Sequence, residues 1–238
     1  YPVLKEPKGR LLLEDRAPAP LAASPDRAGP PAGAGGRRGP PARSPYGTPH
    51  GRGAAAAGAR LIVPSFDRLQ ELDSSGVEIG LGPTKGAGVS EPAIGADGTL
   101  YAVRMNPPGT IALDPINMPR WTRATQARWT WYGGPALAAG GTLYIAGNDG
   151  FYALQLSDTG GTVRWRYPPD PADSLVFVGA PLIGPDGTVY TFTSCDFGRE
   201  SQPCSDELIA FWEDKPVDPD SPWPMWRHDA RRSGQAHR

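Results

Sequence analysis

The sequence predicts an all-β protein, a partial or small β-propeller of about four four-stranded blades preceded by a disordered Pro/Gly/Ala-rich segment. Three observations predict it. A ten-residue pattern recurs three times without gaps, the strands it implies are apolar on both faces, and composition changes abruptly near residue 60.

The chain begins with the unusual composition. Residues 1–60 carry a net charge of +6 and residues 61–238 a net charge of −7, a split hidden in the total of −1. From Ala17 to Arg60, 31 of 44 residues are Pro, Gly or Ala. Such a stretch has too little apolar surface to offset its ordering entropy. Residues 1–60 are therefore expected to be a low-complexity, disordered basic arm, with Leu11-Leu12-Leu13 allowing one detached strand. Arg37-Arg38 is followed by no apolar run, which argues against a twin-arginine export signal. The near-zero total charge gives no electrostatic case for nucleic acid, and no apolar run approaches the ~18 residues of a membrane span.

Residues 61–238 are expected to hold the repeats, in units near 61–89, 90–132, 133–178 and 179–238. The recurring stretches are Pro92-Ala-Ile-Gly-Ala-Asp-Gly-Thr-Leu-Tyr101, Pro135-Ala-Leu-Ala-Ala-Gly-Gly-Thr-Leu-Tyr144 and Pro181-Leu-Ile-Gly-Pro-Asp-Gly-Thr-Val-Tyr190, at periods of 43 and 46 residues. Each reads as a short strand, a tight turn and a second strand. Pro stands at the strand start, where its missing N–H does least harm, and Asp-Gly or Gly-Gly supplies the positive φ of the turn. Third strands follow at Thr110–Asp114, Tyr152–Gln155 and Leu208–Trp212, with Ala112, Ala153 and Ala210 in one column. Asn148-Asp149-Gly150 and Thr159-Gly160-Gly161 read as hairpin turns. Fourth strands are expected at Ala127–Tyr132 and Thr162–Tyr167, both containing Arg-Trp.

The first unit is a worn copy. Leu61-Ile62-Val63 matches the second strand and Leu69–Asp73 the third, but Glu71 stands in the alanine column and no inner strand is evident. Either the unit is degenerate or its face is exposed at an end of the array. The last unit lacks an evident outer strand.

Alternation in Thr142-Leu-Tyr-Ile-Ala146 places Leu143 and Ile145 on one face and Thr142 and Tyr144 on the other, with no charge on either. A sheet with one wet face alternates apolar with polar. These sheets instead need cover on both sides, as stacked propeller blades do.

The pattern Pro-Ala-Ile…Asp-Gly-Thr-Leu-Tyr, then Ala-Leu-Asp, then Arg-Trp, resembles the pyrroloquinoline-quinone-like (PQQ-like) β-propeller repeat. The tail Pro222–Gly234 resembles a segment found at the ends of such propellers. The resemblance covers roughly 61–238 and implies a fold more strongly than an activity. The repeat occurs in quinone-dependent alcohol dehydrogenases, in an outer-membrane assembly lipoprotein and in many exported proteins. It implies an extracytoplasmic chain, in the periplasm or at the cell surface.

The dehydrogenases of that resemblance hold the quinone over Ca²⁺ and carry a disulfide between adjacent cysteines. Here Cys195 and Cys204 lie nine residues apart, in a loop extended between second and third strands, since Tyr-to-Ala spacing is 9 and 11 in two units and 20 in the last. Given the family's habit of export, they are expected to form a loop-bracing disulfide, against two free thiols in a reducing compartment. Asp196, Glu200, Asp206 and Glu207 in the same loop match no Ca²⁺-loop spacing, so no metal site is assigned. His228-Asp229 could orient an imidazole, but no nucleophile motif accompanies it; the segment reads as a polar cap on the last blade or a closure of the ring. His50 and His237 fall in the arm and at the terminus.

No catalytic, cofactor-binding or metal residues are assigned, and no cofactor is expected. Most of the seven Trp are assigned to packing. Trp121 and Arg123, in the irregular 115–126 connection, are the candidate binding surface. The sequence thus points to a non-catalytic module presenting a binding or scaffold surface to a protein or other macromolecule. The alternatives are part of a quinone-dependent dehydrogenase or the extracellular sensor of a longer signalling protein. Further blades from a longer chain or a second copy are the other expected partners.

Overall fold

Period-two alternation dictates extended chain, and strands are what form. The structure, a computed structural model, describes residues 54–57, 60–64, 69–81, 89–105, 107–114, 119–123, 133–147, 149–168, 175–195, 207–225 and 228–229. Among the described residues there are strands and no helix, and the strands make four four-stranded antiparallel sheets. The first holds β1 (Ala55–Ala57), β2 (Arg60–Pro64), β3 (Leu69–Leu72) and β4 (Glu78–Leu81). The second holds β5 (Ala93–Ile94), β6 (Leu100–Met105), β7 (Pro108–Leu113) and β8 (Pro119–Arg123). The third holds β9 (Ala136–Ala138), β10 (Thr142–Gly147), β11 (Gly150–Ser157) and β12 (Gly160–Tyr167). The fourth holds β13 (Leu175–Phe177), β14 (Leu182–Ile183), β15 (Val189–Cys195) and β16 (Glu207–Phe211).

Register reproduces the sequence ruler. Tyr101 opposes Ala112, Tyr144 opposes Ala153 and Tyr190 opposes Ala210. The repeating turns carry positive φ at Gly98, Gly140, Gly141 and Gly187, so a side chain there would strain the backbone. On the far side of the alanine column, Ala153 opposes Trp165 and Ala112 opposes Trp121, each followed by a bulge.

That register corrects one expectation. The fourth strand of the second sheet is β8, and its Arg120-Trp121 is the counterpart of Arg164-Trp165. The expected strand Ala127–Tyr132 lies outside the described residues. A second correction concerns the arm. Ala55–Ala57 forms the inner strand β1, with Ala55 opposite Ile62, so the first sheet reaches back past the expected boundary at residue 60. The rest of the arm lies outside the described residues. Glu71 is buried, not on an exposed face, and forms an ion pair with Arg60. The first unit is therefore degenerate in sequence while intact as a sheet.

In the fourth sheet β13 and β14 share one edge of β15, because Thr193 opposes both Phe177 and Glu207 while Val189 opposes both Ile183 and Phe211. Pro181 interrupts that edge, since it has no N–H to donate. The second sheet does the same on either side of Pro92, where Val89 bridges Arg104 ahead of β5. Beyond β16 no outer strand is found among the described residues.

The sheets stack in chain order. Innermost strands meet in succession, β1 with β5, β5 with β9 and β9 with β14. Three buried clusters fill the gaps. Ile62 and Leu69 pack with Leu100 and Leu113; Ala93 and Val103 pack with Leu137 and Leu143; Tyr144 and Phe151 pack with Val189 and Phe211. In each gap the tyrosine-column face of one sheet meets the leucine-column face of the next. This is the two-sided burial that the uncharged strands demand.

Close approach at the strand starts sets the spacing of this stack. A Cβ added to Gly134 would lie 1.9 Å from the Glu91 carbonyl oxygen, and one added to Gly133 would lie 2.1 Å from Ala180 Cβ. Backbone cannot yield as a flexible side chain can. Gly134→Ala is expected to destabilise the protein by about 3 kcal/mol, read as a shifted denaturation midpoint; an unchanged midpoint would show that the sheets sit further apart.

Candidate functional site

Each repeated turn is a small electrostatic device. Asp97 accepts from the Thr99 amide at 3.0 Å and the Thr99 hydroxyl at 2.6 Å. Asp186 accepts from the Thr188 amide at 3.1 Å and its hydroxyl at 2.9 Å. Arg120 adds 2.8 Å contacts to both Asp97 Oδ2 and Thr99 Oγ1. Burial pushes the Asp97 carboxyl up, but the Thr99 donors and Arg120 outweigh it and leave it below its ordinary value of 3.8. Asp186 is lowered by the Thr188 amide and then its hydroxyl.

The third sheet has Gly140 where the second and fourth have Asp. There Arg164, the counterpart of Arg120, donates to Thr142 Oγ1 at 3.3 Å, and Lys215 Nζ reaches the same oxygen at 3.2 Å. Glu213 accepts from Trp165 Nε1 at 2.7 Å and lies 3.5 Å from Arg164 Nη1. The chain leaving β16 thus brings a donor to this hydroxyl, where in the second and fourth sheets the hydroxyl itself donates to Asp.

The same chain then crosses the inner edge of the stack. The Ala139 amide donates to the Pro216 carbonyl at 2.9 Å, the Leu137 amide to Pro224 at 2.7 Å and the Ile94 amide to Trp223 at 2.8 Å. The Ser221 hydroxyl donates to the Ile94 carbonyl. Pro216, Pro219, Pro222 and Pro224 suit this task. Pro216 and Pro224 bring carbonyl acceptors to strand edges without adding amides that would need partners of their own. Trp223 joins the cluster between the first two sheets, and Met225 the cluster between the last two. Trp223 Nε1 donates to the buried Glu91 at 3.2 Å.

His228 lies at the end of this segment, edge-on to Trp223 with ring centroids 5.2 Å apart, at φ +77°. Its Nδ1 lies 4.0 Å from Asp229 Oδ2. The segment's described residues lie along the second and third sheets, and Met225 also packs with Val189 and Phe211 of the fourth.

Trp121 and Arg123 are strand residues, not part of an irregular connection. Trp121 is half-buried, 6.3 Å from the Tyr101 ring. Its side chain would lie 3.4 Å from a Cβ at Gly161, and Arg123 Nη1 donates to the Gly161 carbonyl at 2.6 Å. Both therefore tie the second sheet to the third. Cys195 ends β15, while Cys204 and the expected disulfide lie outside the described residues, as do Asp196, Glu200, Asp206, His50 and His237.

Burial pushes the Tyr144 and Tyr152 hydroxyls far up, so neither is a phenolate near neutrality. Among the described residues no group of His, Cys, Asp or Glu is arranged to hold a metal ion. No helix among them is long and apolar enough to cross a membrane. What the sequence reading missed is Trp212, 78% exposed immediately after β16. Its place at the end of a repeat strand made it read as a packing residue.

No protein-family model matches the sequence, and no curated protein does. Among solved structures the fold is similar to the crystal structure of the N-terminal domain of Nup159, with a TM-score of 0.43 and 10% identity over 69% of this chain and 46% of that one. The chain spans under half of that domain's length, and the likeness at this score carries no argument about activity or partners.

Two expectations follow. Asp97 is depressed in the fold, so its tie is present above the ordinary carboxyl value and is lost as pH falls through the lowered one. Asp97→Asn is expected to flatten the loss of stability as pH falls below the ordinary carboxyl value of 3.8, measured by denaturant melts; an acid limb as steep as the parent's would show the tie to be without effect. Trp223→Ala is expected to destabilise by about 3–5 kcal/mol, and a loss within error would mean that the crossing segment is not fixed in solution.

Proposed function

We propose that the chain is a non-catalytic PQQ-like β-propeller module, acting outside the cytoplasm as a binding or scaffold surface for a protein partner. The observation that supports it is Trp212. An indole 78% exposed beside a rigid strand is a large apolar group left in water. Trp is among the residues enriched at the energetic centres of protein interfaces. Stacked sheets hold such a residue in place with little entropy left to lose on binding. Trp121 and Arg123, engaged with Gly161, are the weaker choice for this surface. The extracytoplasmic assignment rests on the resemblance of the repeat.

A photo-crosslinker at exposed Asp214, beside Trp212, tests the reading. The expected result is an adduct of discrete mass with one protein, lost in the Trp212→Ser variant while the melting temperature stays unchanged. Adducts that survive Trp212→Ser would overturn it. Incubation with PQQ, Ca²⁺, an alcohol and a redox dye provides the opposite arm; dye reduction with turnover would make the chain an enzyme instead.

A further inference from the structure

Among the described residues the first and the fourth sheets each leave one face part-exposed, and the two faces are complementary. The repeat column Leu61, Leu100, Leu143 and Val189 is exposed by 38%, 2%, 0% and 0%. Only the first sheet leaves this face uncovered. The column Val103, Ala146 and Phe192 is exposed by 1%, 5% and 43%. Here only the last sheet leaves its face uncovered. The inner-strand contacts that run from β1 to β14 are not matched by a comparable contact from β14 back to β1 among the described residues.

The three internal gaps state what each face takes. A tyrosine-column face is always covered by the leucine-column face of the following sheet. The fourth sheet offers a tyrosine-column face, with Tyr190 and Ala210 opposite one another and Phe192 opposite Leu208. The first sheet offers a leucine-column face, with Leu61 opposite Leu72 and Val63 opposite Gln70. Each free face is the kind that the other receives, and both occur on every copy of the chain.

We propose that two copies of this chain associate head to tail, the fourth sheet of each covering the first sheet of the other. One interface used twice closes the assembly, whereas a single copy leaves Leu61 and Phe192 part-exposed, the first beside the Gln70–Glu78 hydrogen bond. This rests on the reading of the chain as a binding module and names the partner for its end faces.

The test is sedimentation of the full chain. The expected species has twice the 25.2 kDa mass of one chain. Leu61→Lys and Phe192→Asp, both at exposed positions, are each expected to raise the dissociation constant at least tenfold, about 1.4 kcal/mol, with unchanged circular dichroism. A mixture of the two variants is expected to associate again, because one interface then sets Lys against Asp and the other is of parent sequence.

A monomer at all concentrations overturns the proposal. So does a dimer indifferent to both substitutions, one weakened by a single substitution with no recovery in the mixture, or an open series of larger species. If the chain stays monomeric yet crosslinks through Trp212, the binding-module reading stands and the paired assembly does not.

Discussion

The middle sheets of this protein bury apolar side chains on both sides, and that constraint organises the rest. A sheet with one wet face can stand at the surface of a domain. A sheet with two dry faces must lie between neighbours. Spacing between neighbours is then set by the smallest groups at the crossing points. Ala112 and Ala153 keep the mid-sheet columns shallow, and Gly133 and Gly134 let the strand starts pass at backbone distance. Larger rings fill the space where sheets diverge, as when Phe151 stacks on Phe211 at 4.9 Å.

The turns and the crossing segment solve different parts of one problem, the satisfaction of backbone groups at sheet edges. In the second and fourth sheets an aspartate folds back on its own Thr. The third sheet has no such aspartate, and Lys215 arrives from elsewhere in the chain to meet the same hydroxyl. The prolines that follow then offer carbonyls to strand amides on the inner edge.

Much of this was legible in the sequence, and the failures have physical causes. The Pro-to-Tyr ruler located β5, β6, β9, β10, β14 and β15, because a turn that requires positive φ leaves little freedom in its residues. β1 was missed because Ala55–Ala57 looks like the alanine-rich arm before it. Its small side chains suit a crowded inner position, yet smallness carries no periodicity. β8 was missed because two Arg-Trp pairs compete for the same role, and only backbone register shows that Trp121 is the partner of Ala112. Trp212 was assigned to packing on its place in the repeat, yet it stands just past the end of β16 and is exposed.

The crossing segment also bears on how the chain reaches its fold. Ser221 bonds to Ile94 across 127 residues. A chain emerging from the ribosome makes its hairpins early, since their strands are neighbours in sequence. The inner edges of the second and third sheets must nonetheless wait for the last part of the chain to be synthesised. Until then those edges are open templates on which a stray strand can pair. The nascent protein is therefore most vulnerable to misassembly after its sheets exist and before residues 216–224 arrive to seal them.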